Sequence, residues 1–161
     1  MDESPKPASG SRSSLSLITR AEHANAFGTV HGGVVLRLAD EAGALAALRH
    51  ATGRVITTAA VDAFAFLSPV QVAERLEAVA ELTYVGRTSL EAQILVYSEP
   101  LSNFVRRKIA EGHMLYVAVD GEGRPVPVSP LRSETESDRL RDEAAHARQA
   151  HRLARRADAS R

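Results

Sequence analysis

Residues 23–50, HANAFGTVHGGVVLRLADEAGALAALRH, change character at Gly33. Before it, residues 20–33 are polar, contain Gly28 and show no apolar period, so they read as a loop. After it, Val34, Val35, Leu38, Ala42, Leu45 and Ala46 recur at helical spacing and predict a helix over 34–50. Ala and Gly fill most of its remaining sides, the pattern of a helix gripped closely all round. Ala is also simply the best helix former, but a mid-helix glycine such as Gly43 costs about 1 kcal/mol against Ala and favours the close-contact reading.

Working outward, the period changes to two. Ser14–Thr19 (SLSLIT) alternates as a short strand. Residues 54–67 are β-branched and aromatic up to Ser68-Pro69. Residues 74–85 place Leu76, Ala78, Ala80, Leu82 and Tyr84 on one face. Residues 88–98 place Leu90, Ala92, Ile94 and Val96 on one face, and 108–119 form a last strand before the turn Asp120–Gly123. Strand, helix, then four strands joined by short turns predicts an α+β fold, one helix on one antiparallel sheet. Residues 1–14 read as a disordered tail, 15–128 as the domain, and 129–161 as a charged segment. In that segment Ser133 and Glu136 suggest a capping box. Leu140, Ala144, Ala147 and Leu153 form a thin apolar stripe, predicting a surface helix that docks on the body or on a neighbouring subunit.

The chain has 161 residues, no cysteine, and 20 basic against 20 acidic residues. Disulfides, thiolate nucleophiles and Cys-based zinc sites are excluded. No basic imbalance points to nucleic acid. No apolar run approaches the roughly 20 residues of a membrane span, and the start lacks a signal-peptide core, so the expected compartment is the cytoplasm. The Arg-rich last segment interleaves Asp and Glu and lacks aromatics, which suits a solvated or subunit-packing helix better than nucleic acid or membrane.

The candidate chemistry begins with Gly32-Gly33 at the helix start, where free N–H groups attract negative charge and suit an oxyanion. Asp40 lies about two turns further in, among small apolar residues. It is either a solvated helix-face carboxylate or a general base, since burial raises a carboxyl pKa. Glu41 projects about 100° away, so the two do not serve one site. Asn25 is either an Asx-turn residue or a polar partner for Asp40. His23 and His31 read as residues bonding backbone, and Asp62, mid-strand, as a structural hydrogen bond to a loop. Gly86-Arg87-Thr88-Ser89 offers a charge and hydroxyls at a turn, suited to phosphate groups or merely solvated. Arg106, Arg107 and Lys108 form a second basic cluster.

Taken together, His23, Asn25, Gly28, Gly32-Gly33, Ala39-Asp40-Glu41-Ala42-Gly43, Val61–Pro69 and Val85-Gly86-Arg87-Thr88-Ser89 resemble the hotdog-fold acyl-CoA thioesterases. The resemblance is closest to the bacterial and mammalian cytosolic acyl-CoA hydrolase branch and covers roughly residues 15–157. That branch often has Phe before the glycine pair; His31-Gly32-Gly33 instead looks like the phenylacetate-pathway hotdog thioesterases, which leaves the acyl group open. The resemblance implies a five-stranded antiparallel sheet wrapped around the helix, and homodimers or trimers of dimers with sites at subunit interfaces. It also implies acyl-CoA hydrolysis to a free acid and coenzyme A without metal or further cofactor. Asp40 would be base or nucleophile, Asn25 would orient water or carbonyl, the Gly33 N–H would stabilise the oxyanion, and Gly86–Ser89 would lie at the coenzyme A. A hotdog hydratase or dehydratase, or a non-enzymatic acyl-CoA sensor, are the alternative expectations.

Overall fold

The computed structural model describes residues 4–159, and its centre is the expected helix, α1 (Gly32–His50). The helix starts two residues before the apolar period because His31 caps it: its ring accepts a hydrogen bond from the Gly33 N–H. Five strands form one antiparallel sheet: β2 (Ser13–Ile18), β3 (Val55–Phe66), β4 (Glu74–Val85), β5 (Ser89–Pro100) and β6 (Arg107–Val119), in the spatial order β2-β4-β5-β6-β3. The alternation in β4 and β5 does what its period implies. Leu76, Ala78, Ala80 and Leu82, with Leu90, Ala92, Ile94 and Val96, are all buried against the helix. α1 answers with Ala39, Ala42, Ala46 and Ala47, all fully buried, and touches every strand of the sheet. Small side chains permit that approach, so the sheet curls around the helix. The expected α+β hotdog architecture is present.

Three details differ from the sequence reading. The period of β4 breaks at a bulge between Leu82 and Tyr84, so Thr83 is buried and Tyr84 only half-buried. Residues 1–14 were expected as a tail, and 1–3 lie outside the described residues. From Lys6 on the segment is ordered: β1 (Lys6–Pro7) pairs in parallel with β7 (Leu131–Arg132), Ala8 is buried, and β2 already begins at Ser13. Lys6 Nζ donates to the His50 carbonyl 2.7 Å away, a cation placed on the C-terminal end of α1. Finally, the cap of the terminal helix α2 (Glu136–Ala159) is Thr135 with Asp138, not Ser133 with Glu136. Thr135 Oγ1 accepts from the Asp138 N–H, and the Asp138 carboxylate accepts from the N–H groups of Glu134 and Thr135.

α2 docks on the sheet face opposite α1, as expected of a helix lying on the body, but ions rather than its apolar stripe tie it down. Leu140 and Leu153 stay exposed. Glu91, fully buried on β5, accepts from Arg148 Nη2 at 2.7 Å and from Thr83 Oγ1 at 2.9 Å. Its other oxygen lies 2.6 Å from Arg152 Nη1, and the same nitrogen reaches Asp62 Oδ2 at 3.0 Å. Asp62 therefore does make a structural bond, but to a helix and not to a loop. Burial pushes the Glu91 carboxyl up, and Arg148 and Arg152 more than reverse that, so it stays below the ordinary value.

Candidate active site

Asp40 is half-buried on the side of α1 that faces β3 and β6. Thr58 Oγ1, from β3, donates to its Oδ1 at 2.8 Å. The Tyr116 hydroxyl, from β6, lies 3.1 Å from the Asp40 backbone carbonyl and 3.4 Å from the same Oδ1. Both side-chain hydrogen bonds thus fall on one carboxylate oxygen, which leaves Oδ2 to act on something else. Glu41 is engaged by Arg37 at 2.8 Å on the solvent side. The two neighbouring carboxylates diverge, as the 100° step requires.

The glycine pair sits at the start of α1, about 10 Å below Asp40 along the helix axis. The Gly33 N–H, the expected oxyanion donor, is already donated to His31 Nδ1 at 2.9 Å. His31 therefore bonds backbone as its composition suggested. It also stands where an oxyanion would have to bind, so the ring must turn aside for Gly33 to serve one. Gly32 packs under the Phe66 ring, which a Cβ there would meet at 3.4 Å. Beside it, Val30, Val35, Phe66, Leu67 and Val70 line an apolar cavity of about 330 Å³.

Asn25 does not reach Asp40 within one chain. Its Oδ1 accepts from the Phe27 and Thr29 N–H groups, and its Nδ2 donates to Thr29 Oγ1 at 2.9 Å. This is an Asx-turn, closed by Gly28 at φ +79°. His23 Nδ1 likewise accepts from the Arg20 N–H. Phe27, on the same loop, is 92% exposed, an aromatic that none of the described residues covers.

The turn at Gly86–Ser89 lies at the opposite end of α1. There a cavity of about 510 Å³ is lined by Lys6, His50, Arg54, Arg87 and Ser129 among others. Arg87 faces it; Gly86, Thr88 and Ser89 do not line it. The second basic cluster is occupied with carboxylates: Arg107 pairs with buried Glu74, Arg106 with Glu77, and Lys108 with Glu111. His50 is buried, its Nε2 2.7 Å from the Ser129 carbonyl, and burial lowers its pKa. Among the described residues, no three His, Asp or Glu side chains are grouped to hold a metal ion. Nor is any helix long and apolar enough to cross a membrane.

Residues 27–103, which carry Asp40, Thr58 and the glycine pair, match the model of the thioesterase superfamily. A Zymomonas mobilis protein named an uncharacterized acyl-CoA thioester hydrolase is 34% identical over 130 residues, 81% of this chain and 87% of that protein. The chain belongs to the hotdog-fold thioesterase superfamily. The human cytosolic acyl coenzyme A thioester hydrolase is 32% identical over 89% of this chain, but the chain spans only 38% of that relative's length. A Staphylococcus aureus acyl-CoA hydrolase, solved in complex with butyryl coenzyme A and coenzyme A, superposes with a TM-score of 0.85 at 28% identity, covering 96% of this chain and 94% of that one. Structures of that hydrolase also exist with an aspartate, an asparagine or a threonine replaced by alanine.

Two residues of this thioesterase-superfamily chain escaped the sequence reading. Thr58 sits in a β-branched run in which any Thr reads as strand propensity. Tyr116 sits on an apolar strand in which an aromatic reads as core. The one available signal was Gly43, which implied a close neighbour without saying which.

Proposed function

We propose that this chain is an acyl-CoA thioester hydrolase that uses Asp40 to activate water or to attack the thioester carbonyl. The observation that carries the reading is a half-buried helix carboxylate whose Oδ1 is held by Thr58 and Tyr116 while Oδ2 carries neither bond. Such a group is aimed and has an oxygen to spend. The match to relatives named acyl-CoA thioester hydrolases supports the substrate class.

In this reading the thioester carbonyl approaches Gly33, whose N–H leaves His31 to stabilise the developing oxyanion. Asn25 orients the water or the carbonyl. The adenosine phosphates of coenzyme A lie toward Arg87, in the cavity that also holds Lys6 and Arg54. His50 lies ten residues beyond Asp40, or about 15 Å along the helix, a span that an extended pantetheine arm bridges. Coenzyme A is part of the substrate and is released as product, and no further cofactor enters the scheme.

One chain does not bring Asn25 and Gly33 to Asp40, which favours a site shared between two subunits. β3 offers the place for a second copy. It ends the sheet with a 12-residue unpaired edge, and Val55, Val61 and Phe66 along it are exposed. A homodimer, or a trimer of such dimers, would pair these edges and cover Phe27.

Asp40→Asn, assayed on short, long and aromatic acyl-CoAs, should lower kcat by about 10²- to 10⁴-fold while the circular dichroism spectrum stays unchanged. Near-wild-type turnover of the folded variant would refute the proposal. Tight binding of acyl-CoA without hydrolysis by the wild type would make the chain a sensor instead.

A further inference from the structure

We infer that Tyr116 is a positioning residue for Asp40, holding the carboxylate by its backbone and side chain from beneath the helix. The inference rests on the proposed role of Asp40, and two independent features of the fold carry it.

The first is the hydroxyl itself. Tyr116 is fully buried, and its neighbours on the same face of β6, Met114 and Ala118, are buried and apolar. Phe would fill that volume without bringing a polar atom that must find a partner. The strong acceptors near the hydroxyl are two atoms of a single residue, the Asp40 carbonyl at 3.1 Å and Asp40 Oδ1 at 3.4 Å; Met114 Sδ, at 3.5 Å, is a weak one. One proton is shared between the backbone of the helix turn and the carboxylate that the turn carries. Thr58 grips the same Oδ1 from the exposed side, so that oxygen is held between two strands while Oδ2 carries neither bond. Burial, and then the Asp40 charge, raise the Tyr116 pKa, so the phenol remains a donor throughout the working range.

The second feature is Gly43. It lies three residues after Asp40 and so on the same face of α1. A Cβ there would come within 2.1 Å of the Tyr116 oxygen. The helix forgoes a better helix former at a position where a side chain would push the hydroxyl off Asp40.

The test compares Tyr116→Phe, Asp40→Asn and the double variant in acyl-CoA hydrolysis, with Tm recorded for each. Tyr116→Phe is expected to lower kcat about tenfold with KM within twofold of wild type. On the Asp40→Asn background it should change kcat by less than twofold. A purely structural role would lower Tm and leave kcat per folded protomer alone. The inference is overturned if kcat stays within twofold of wild type, or if the loss is just as large without the Asp40 carboxylate. Should Tyr116→Phe fail to fold, Gly43→Ala, which keeps the tyrosine and displaces its hydroxyl, must give the same loss in kcat; an unchanged kcat there overturns it equally. An inactive Asp40→Asn beside a fully active Tyr116→Phe sinks this inference alone, whereas an active Asp40→Asn sinks the catalytic reading on which it rests.

Discussion

Replacing Gly43 by Ala sets two opposed effects against each other, and the structure decides the sign. On an open helix face the change stabilises by about 1 kcal/mol, because Ala is the better helix former. Here the new methyl would lie 2.1 Å from the Tyr116 oxygen, 2.9 Å from Cζ and 3.1 Å from Cε2. The obstacle is a fully buried ring on a central strand, not the free end of a flexible side chain. Overpacking of this kind costs about 1–3 kcal/mol, and so close a contact belongs at the upper end. The expected net effect is a destabilisation of about 2 kcal/mol, a fall in Tm of roughly 4–8 °C for a chain of this size. Urea and thermal unfolding at one fixed protomer concentration measure it, since assembly would otherwise shift the transition. Repeating the substitution on a Tyr116→Phe background removes the nearest atom, and the cost should shrink without vanishing, because the ring carbons remain within reach. A Tm equal to or above that of the wild type would refute the steric reasoning and with it the account of why glycine occupies this position.

Two further predictions follow from the same geometry. Glu91 has its folded pKa held below the ordinary value by Arg148 and Arg152 against the opposing pull of burial. Its stabilising contribution is therefore complete above the unfolded carboxyl pKa of about 4.3 and is lost as pH falls through the lower folded value. Stability measured from pH 6 to pH 3 should fall more steeply for the wild type than for Glu91→Gln, and matching slopes would remove Glu91 as the acid-sensitive anchor of α2. His31→Ala removes the ring that caps Gly33. It should lower stability by about 1 kcal/mol while freeing the N–H that an oxyanion needs, and an unchanged Tm would show that the cap adds nothing.

The long helix and strands β4 and β5 were legible because each buries one face, and burial of one face writes a period into the chain: 3.6 for α1, 2 for β4 and β5; β3, none of whose residues is buried, was legible from its β-branched and aromatic composition instead. The breaks in those periods were not legible. The bulge at Thr83 is set by how β4 pairs with β5. The hydrogen bonds between α2 and the sheet join residues 57 to 90 positions apart, which no local pattern records. The ordered segment from Lys6 was missed for a related reason. Its polar composition predicts solvation, and it is held instead by a two-residue pairing with β7 and by the carbonyl of His50.

By itself the sequence determined the helix, its glycine start, a carboxylate two turns in, and, through Gly43, that something must press against the helix beside it. Those are properties of neighbours along the chain, and spacing encodes them. Only the tertiary structure decided that the pressing group is Tyr116, that it and Thr58 share one oxygen of Asp40, that His31 occupies the Gly33 N–H, and that Asn25 closes its own loop. These depend on which atoms the sheet carries to the helix from strands 18 and 76 residues away, and that is fixed by register and curl.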